Sequence, residues 1–277
     1  MTFSGKTAII TGATSGIGAE AAIAMAQSGI HLVLPVRNLA KGETIKNAIY
    51  RVAPNAQVDL MECDLSSMDS IRTFAKNFSE KFPRLDILVN NAGVWESSRK
   101  TSADGIELTF AVNHLAPFLM TNLLLDKLEE SAPARVITVS SDAHRVARMN
   151  FEDLEGAKGW NTMTSYAQSK LANVLFTRQL ADKLHDSGVV ANCMHPGFVA
   201  TRLFDRFPGF LVKFLSLFMI NAKKGAETIV YLATAPEAQY FSGLYFYKKK
   251  AKDTAPASKN ITDAEKLWEL SKQYTGI

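Results

Sequence analysis

Short apolar runs that alternate with longer helix-like segments are the feature that most constrains the fold of this 277-residue chain. These runs are nearly all apolar rather than alternating, which is typical of strands buried on both faces of a parallel sheet. They cover Thr7–Thr11, His31–Val36, Gln57–Glu62, Leu85–Asn90, Arg135–Val139, Val189–His195 and Leu244–Tyr247. Right-handed crossovers between such strands give a doubly wound sheet. We therefore predict an α/β fold: one Rossmann domain over residues 1–277, with a seven-stranded parallel sheet and helices on both faces.

The composition is typical of a globular protein and argues against several kinds of partner. Hydrophobic residues make up 47% and charged residues 21% of the chain. A net charge of +4, spread along the chain, is too small to indicate nucleic-acid binding. The basic cluster Lys248-Lys249-Lys250 with Lys252 is explained more simply by a solvated strand end than by an anion site. The 5 histidines lack metal-ligand spacing, so we predict no metal site.

Targeting signals and cysteines bear on the location of the protein. The N-terminal residues lead directly into the first strand without a signal peptide. No apolar stretch reaches the ~18 residues that a membrane span needs. Cys63 and Cys193 close apolar runs, so we expect buried free thiols in a reducing compartment. We therefore expect a cytoplasmic or peripherally membrane-associated protein.

A glycine-rich loop follows the first strand and opens a helix. Gly12 permits a tight turn, Gly16 lets a pyrophosphate approach, and Gly18 lets the helix pack closely on the strand. The loop therefore predicts a dinucleotide site, although its first glycine gap is one residue longer than in the common fingerprint. The expected cofactor contacts in this loop are Gly12, Thr14, Ser15, Gly16, Ile17 and Gly18.

The end of the second strand predicts which dinucleotide binds. An acidic residue there would bind the ribose hydroxyls and repel a 2′-phosphate. This chain has Arg37-Asn38 instead, with Lys41 close behind, and a guanidinium suits a phosphate. We therefore predict NADP(H) in preference to NAD(H). After the third strand, Asp64-Leu65 can contact the adenine, although a helix N-cap role for Asp64 or Ser66 is an alternative.

A tyrosine and a lysine four residues apart, Tyr166 and Lys170, lie in a predicted helix and therefore share one face. An ammonium beside a phenol favours phenolate, so we expect the pKa of Tyr166 to fall below its usual value of about 10. Such a phenol can exchange a proton with a substrate oxygen. Tyr245 and Lys249 have the same spacing, but four residues of strand span roughly 13 Å, too far for contact.

The ordered motifs resemble those of the short-chain dehydrogenase/reductase family over nearly the whole chain. They comprise Thr11-Gly12, Gly16-Ile17-Gly18, Asn90-Asn91-Ala92-Gly93, Asn113, Ser141, Tyr166-x-x-x-Lys170 and Pro196-Gly197. Within that family the chain is similar to the retinol dehydrogenase-like branch. That likeness is carried by Arg37-Asn38, Asn113-His114-Leu115, Ser140-Ser141-x-Ala143-His144 and the residues around Tyr166. The resemblance also implies cofactor contacts at Asn91, Ala92, Gly93, Tyr166, Lys170, Pro196, Gly197, Val199 and Thr201.

The resemblance implies a role for each of four catalytic residues. Tyr166 donates a proton in carbonyl reduction and accepts one in alcohol oxidation. Lys170 lowers the pKa of Tyr166 and holds the nicotinamide ribose. Ser141 orients the substrate oxygen, with Ser140 as the less favoured alternative. Asn113 positions a water that links Lys170 to bulk solvent.

The segment 198–222 is rich in Phe and Leu, and the family likeness makes it a substrate lid. An apolar wall favours apolar substrates, but core packing or peripheral membrane contact through 207–220 would need the same composition. The segment 150–164, with Trp160, is expected to border the opposite side of the pocket. The likeness also suits a homodimer paired through two long helices.

The sequence thus predicts an oxidoreductase that interconverts an apolar aldehyde or ketone and its alcohol with NADP(H). A retinal-like, lipid-derived or xenobiotic carbonyl would fit. An NADP(H)-binding sensor or scaffold protein with little turnover is the alternative.

Overall fold

A single sheet forms the centre of the protein, whose computed structural model describes residues 3–197 and 221–277. Within those residues the sheet has eight strands in the order β3-β2-β1-β4-β5-β6-β7-β8. The strands are β1 (Thr7–Ile10), β2 (His31–Val36), β3 (Val58–Glu62), β4 (Ile87–Asn90), β5 (Ala134–Val139), β6 (Val189–His195), β7 (Tyr245–Tyr247) and β8 (Lys250–Lys252).

The first seven strands are parallel, which confirms the predicted doubly wound sheet. The eighth strand is antiparallel to β7 and was not predicted. Lys248 and Lys249 have positive φ angles of 50° and 62° and form the turn between the two strands. The basic run is therefore a hairpin at the sheet edge, where lysine side chains remain in solvent.

Helices cover both faces of the sheet. They are α1 (Gly16–Gln27), α2 (Leu39–Val52), α3 (Met68–Lys81), α4 (Leu108–Phe110), α5 (Ala116–Leu123), α6 (Leu125–Glu130), α7 (Thr162–Lys183), α8 (Ala222–Thr234) and α9 (Ile261–Thr275). One buried cluster joins α1, α2 and α8 to one face of the sheet, and a second joins α3, α5, α7 and α9 to the other. Ala8 and Ile10 belong to the first cluster and Ile9 to the second, as the alternation of side chains along a strand requires.

The helical segment between β4 and β5 is interrupted. A π-helical turn, Ala111–Leu115, separates α4 from α5, and the chain breaks again at Leu124 before α6 begins. The extra residue in a π turn displaces the backbone of Asn113 from a regular α-helical position. This local widening lies at a predicted catalytic residue.

The C-terminal helix α9 packs on the α5 and α7 side of the sheet. The Trp268 ring lies 4.9 Å from Phe118 edge-on and 5.9 Å from Phe176 in a stacked arrangement. Ser271 Oγ lies 2.8 Å from Nε2 of His114, inside the π turn. Complete burial lowers the pKa of His114 to about 3, so this side chain stays neutral. Helix α9 thus supports the turn that carries Asn113.

In the part of the chain that the structure describes, no helix is both long and apolar enough to cross a membrane. Cys63 and Cys193 are buried free thiols, as predicted. The predicted lid at 198–222 and the membrane contact at 207–220 fall almost wholly outside the described residues.

Replacing Trp268 with alanine removes an aromatic side chain that is 7% exposed between Phe118 and Phe176. We expect Trp268→Ala to lower the free energy of unfolding by about 3–5 kcal/mol, the usual cost of such a cavity. Urea unfolding followed by circular dichroism measures this change. Glu265→Ala, at an exposed position of the same helix, is the control and should change it by less than about 0.5 kcal/mol. Equal losses in both variants would contradict the packing role.

Candidate active site

Hydrogen bonds join the loops that follow β1 and β4. The hydroxyl of Thr11 accepts from the backbone N–H of Asn91 at 2.9 Å and from that of Ala92 at 3.0 Å. The Asn91 side chain donates to the carbonyl of Thr11 at 2.8 Å. Sequence reasoning assigned cofactor contacts to the neighbouring residues but gave Thr11 no role. Its signal was its position at the carboxyl end of the first strand.

The glycines of the first loop are required by close backbone contacts. Gly12 has a φ of 68°, and a Cβ built there would lie 2.9 Å from Ala92 Cα. A Cβ on Gly18 would lie 2.5 Å from both the Gly12 carbonyl oxygen and Asn91 Nδ2. Gly18 therefore lets α1 approach the two loops as well as the strand. Larger residues at either position would separate these loops.

The N-terminus of α1 has the chemistry of a pyrophosphate site. Its N-cap, Ser15, makes no side-chain capping hydrogen bond, and its first turn contains no acidic residue. Neither the N-cap nor the first turn therefore supplies a side-chain anion to the first-turn amides and the positive end of the helix dipole. Thr14, Gly16 and Ile17 lie in the same loop and first turn. These features fit the diphosphate of a dinucleotide.

Arg37 and Lys41 are exposed beyond the end of β2, the strand that pairs with β1. Asn38 caps α2, because its side-chain oxygen accepts from the Lys41 backbone N–H at 3.0 Å. Arg37 forms no ion pair within the described residues. Arg37 thus lies at the carboxyl ends of the strands, as the glycine loop does, and no carboxylate of the described residues pairs with its guanidinium.

Asp64 and Leu65 follow β3. The Asp64 carboxylate accepts from the Ser66 N–H at 2.9 Å and from its hydroxyl at 2.7 Å. Neither Asp64 nor Ser66 caps α3, because the N-cap is Ser67, so the alternative N-cap interpretation was wrong. Leu65 lines a small cleft that also contains Thr11 and Ala92. The adenine contact of Asp64 stays a prediction.

Asn113 connects the β4 loop to α7. Its side-chain oxygen accepts from the Val94 N–H at 2.7 Å, and its amide donates to the Val94 carbonyl at 2.9 Å and to Ser169 Oγ at 3.0 Å. A Cβ on Gly93 would lie 3.3 Å from Asn113 Oδ1 and 3.4 Å from Lys170 Nζ. Asn113 and the Lys170 ammonium therefore lie against the same glycine.

The two serines after β5 have different partners. The Ser140 hydroxyl donates to the Lys170 carbonyl at 2.7 Å and so attaches α7 to the strand. Ser141 begins a short 3₁₀ helix, and its hydroxyl accepts from the Ala143 N–H at 3.2 Å. Ser141 also hydrogen-bonds with Tyr166, an interaction that lowers the phenol's pKa. This arrangement favours Ser141 over Ser140 as the serine beside the reacting groups.

Tyr166 and Lys170 lie on one face of α7, as their spacing predicts. The Lys170 ammonium lies 5.6 Å from the centroid of the Tyr166 ring and donates to the Val139 carbonyl at 3.1 Å. The Trp95 ring stacks on Tyr166 with centroids 4.8 Å apart and planes inclined by 15°. Sequence reasoning missed Trp95, whose signal was an aromatic residue directly beyond the Asn-Asn-Ala-Gly motif.

The prediction that the pKa of Tyr166 falls below its usual value was wrong. Desolvation raises the pKa of Tyr166 to about 12 and outweighs the Ser141 hydrogen bond. The same effect lowers the pKa of Lys170 to about 8. Burial disfavours the charged form of each group, and spacing along a helix does not reveal how strongly.

The remaining predicted positions divide into described and undescribed ones. Pro196 and Gly197 follow β6, and Gly197 has a φ of 94°, a value that favours glycine. Val199 and Thr201 lie outside the described residues.

Trp160 donates to Glu107 at 3.1 Å, and the Thr162 hydroxyl donates to the Glu96 carbonyl, one residue after Trp95. The 160–162 segment therefore lies beside the loop that carries Trp95.

The second tyrosine–lysine match is not a pair. Tyr245 lies in β7 and donates to Asp142 at 2.9 Å, whereas the Lys249 ammonium lies 3.0 Å from Glu227. The two side chains therefore have separate partners, as expected, although Lys249 lies in the hairpin turn and not in the strand.

Known proteins similar to this chain identify its family. Residues 6–208 match the short chain dehydrogenase family. The chain is 42% identical over 277 residues to retinol dehydrogenase 12 of Bos taurus, covering 99% of this chain and 87% of that protein. It is 41% identical over 286 residues to retinol dehydrogenase 13 of Homo sapiens, covering 100% and 86%.

Solved structures support the same fold. An uncharacterized protein from Mycobacterium paratuberculosis has a TM-score of 0.81 and 33% identity, covering 99% of this chain and 95% of that one. The RhlG/NADP complex of Pseudomonas aeruginosa has a TM-score of 0.73 and 24% identity, covering 88% and 95%, a level that shows the fold alone. This chain therefore belongs to the short-chain dehydrogenase/reductase family, in its retinol dehydrogenase-like branch, and is an oxidoreductase that acts on CH–OH groups with a nicotinamide cofactor.

Proposed function

We propose that this protein reduces an apolar aldehyde or ketone with NADPH, reversibly, and that Tyr166 supplies the proton. The observation that carries the proposal is the placement of the Tyr166 phenol beside the Lys170 ammonium and Ser141, under the Trp95 ring. A proton donor, a cation and a second hydrogen-bonding group thus surround one point. That set matches the needs of carbonyl reduction.

Each side chain has one task in the proposed reaction. When bound, a reduced nicotinamide supplies the hydride to the carbonyl carbon. Tyr166 gives its phenolic proton to the carbonyl oxygen as the C–O double bond becomes single. Ser141 hydrogen-bonds to the same oxygen and holds it in reach of Tyr166. The Lys170 charge stabilises the phenolate that remains, and a proton from solvent then restores the phenol.

The cofactor residues support a preference for NADP(H). Arg37 is exposed at the end of β2 and forms no ion pair in the described ranges, so its guanidinium is available to a 2′-phosphate. Lys41, in the first turn of α2, adds a second positive charge. An acidic residue that would bind the ribose hydroxyls is lacking at Arg37-Asn38.

An apolar substrate is proposed from the wall of the site and from the relatives. The Trp95 ring, stacked on Tyr166, presents an aromatic surface where the carbonyl must approach. Burial of apolar area contributes about 25 cal/mol per Å². The relatives named retinol dehydrogenase are named for a long apolar alcohol. A retinal-like, lipid-derived or xenobiotic carbonyl is therefore the substrate class that we propose.

The homodimer and the cytoplasmic or membrane-peripheral location are also proposals. Trp268 of α9 covers Phe118 on α5 and Phe176 on α7. We propose that a second copy would pair through the surface of α5 and α7 that α9 leaves uncovered. Buried free thiols at Cys63 and Cys193 support a reducing compartment.

Tyr166→Phe removes the proposed acid while keeping the ring that stacks on Trp95. We expect kcat for NADPH-dependent reduction of apolar aldehydes to fall about 10²- to 10⁴-fold, the usual contribution of a positioned acid. NADPH oxidation at 340 nm measures the rate, and the Kd for NADPH should change far less than kcat. Tyr240→Phe, at a side chain 84% exposed, is the matched control. Unchanged turnover in Tyr166→Phe would refute the mechanism, and no turnover in the unmodified protein would favour the sensor or scaffold alternative.

Arg37→Ala tests the cofactor preference. Loss of a charge-assisted hydrogen bond costs about 1.5–3 kcal/mol, so kcat/KM for NADPH should fall roughly 10- to 150-fold. The value for NADH should stay within about threefold, because NADH lacks the 2′-phosphate. Arg51→Ala, an exposed arginine near the end of α2, serves as the control. A parallel loss with both cofactors would contradict the assignment.

The pKa of Lys170, about 8, predicts a pH dependence for reduction. Below that value Lys170 is charged and can stabilise the phenolate, while Tyr166, with a pKa of about 12, keeps its proton. We therefore expect kcat/KM for the carbonyl to be constant at lower pH and to fall as the pH rises through about 8. A stopped-flow or steady-state pH series measures this profile. A constant value up to about pH 10 would contradict the role of the Lys170 charge.

A further inference from the structure

Two buried histidines contact the peptide group that joins Ser141 to Asp142. Nδ1 of His144 lies 2.7 Å from the Ser141 carbonyl oxygen, and Nδ1 of His195 lies 3.4 Å from the Asp142 amide nitrogen. His144 belongs to the 3₁₀ helix Asp142–Val146, whereas His195 is the last residue of β6. The two residues are 0% and 5% exposed. Both polar groups of one peptide are therefore held by imidazoles.

The partners of the two imidazoles require opposite tautomers. A carbonyl oxygen can only accept, so His144 carries its hydrogen on Nδ1. A backbone N–H can only donate, so His195 keeps a lone pair on Nδ1 and its hydrogen on Nε2, 3.6 Å from Asp142 Oδ2. The lone pair on Nδ1 makes the His195 ring neutral, and burial disfavours the charged form of His144. Desolvation lowers the pKa of each, which maintains that state at neutral pH.

The carboxylate of Asp142 attaches the same turn to β7. It accepts from the Tyr245 hydroxyl at 2.9 Å and from Arg145 Nε at 3.1 Å. The Arg145 guanidinium also donates to the Asp253 carbonyl at 2.8 Å. Side chains from β6, β7 and the 3₁₀ helix therefore converge on the residue that follows Ser141.

We propose that His144 and His195 are positioning residues for Ser141, holding the Ser141–Asp142 peptide so that the Ser141 hydroxyl keeps its orientation toward the substrate oxygen. The inference rests on the proposed reductase function, because Ser141 acts there on the carbonyl. Neither histidine touches the substrate or the cofactor in this proposal. Each acts through the backbone of Ser141, whose χ1 rotation places the hydroxyl once the backbone is fixed.

If His144 only stabilised the fold, its imidazole would not be needed at this position. The Ser141 carbonyl already accepts from the His144 backbone N–H at 3.1 Å, so the imidazole adds a second bond to the same oxygen. His144 Nε2 is buried and has no hydrogen-bond partner among the described residues. A buried polar atom without a partner costs stability, which a leucine at that position would avoid.

The test compares apolar and polar replacements at each histidine. His195→Leu removes the acceptor, whereas His195→Asn returns an acceptor near the position of Nδ1. His144→Leu and His144→Asn make the same comparison for the donor. We expect kcat/KM for the carbonyl to fall about tenfold in each leucine variant and to recover to within about threefold in each asparagine variant. The Kd for NADPH should change by less than about twofold throughout.

A double-mutant cycle with Ser141→Ala separates positioning from general stability. If the histidines act through Ser141, each leucine substitution should cost less than about twofold in the Ser141→Ala background. Single-turnover reactions with enzyme in excess make these slow variants measurable. A cost as large as in the unmodified background would overturn the proposal.

Hydrogen exchange of the Asp142 amide tests the contact without any catalysis. We expect faster exchange in His195→Leu than in the unmodified protein, and protection restored in His195→Asn. Unchanged exchange in His195→Leu would refute the hydrogen bond. If the protein reduced no carbonyl, the proposed function would fail, whereas this exchange result would still decide whether His195 holds the Ser141–Asp142 peptide.

Discussion

The parallel pairing of β4 between β1 and β5 is the constraint on which the site depends. It brings the loops after these three strands to the same end of the sheet, where Asn91, after β4, donates two hydrogen bonds to Thr11, after β1. The glycine loop can then approach Ala92 closely, and Gly93 comes to lie against Lys170. A change of register by one residue would reverse the side chains of β4 and separate these groups.

Burial has opposite effects on the two central groups of the site. It keeps the proton on Tyr166, since a phenolate would be poorly solvated, and it weakens the hold of Lys170 on its own proton. The phenol is therefore the resting form, which suits a proton donor. In the proposed mechanism the phenolate forms with help from Lys170 and Ser141, so the proposed reaction requires all three groups together.

Much of the fold and of the site could be predicted, because both follow from local patterns. Apolar runs mark the strands, and the residues that follow parallel strands converge regardless of the conformation of the connecting segments. The π turn at Asn113 could not be predicted, because it is supported by Ser271 of α9, 157 residues from His114. The stacking of Trp95 on Tyr166 could not be predicted either, because it also joins residues that are far apart in the sequence. Spacing predicted the Tyr166–Lys170 contact, but desolvation, a property of the whole packed site, reversed the predicted pKa direction.

The choice of imidazoles beside Ser141 has an electrostatic reason. A peptide group presents one donor and one acceptor, so holding it from both sides requires one accepting and one donating side chain. Lysine and arginine can only donate and carry charge, and a carboxylate can only accept. A charged side chain there would also disturb the ion pair that Asp142 and Arg145 already form on the 3₁₀ helix. Two neutral imidazoles of opposite tautomer, His144 and His195, contact the peptide without adding net charge beside the Asp142–Arg145 ion pair.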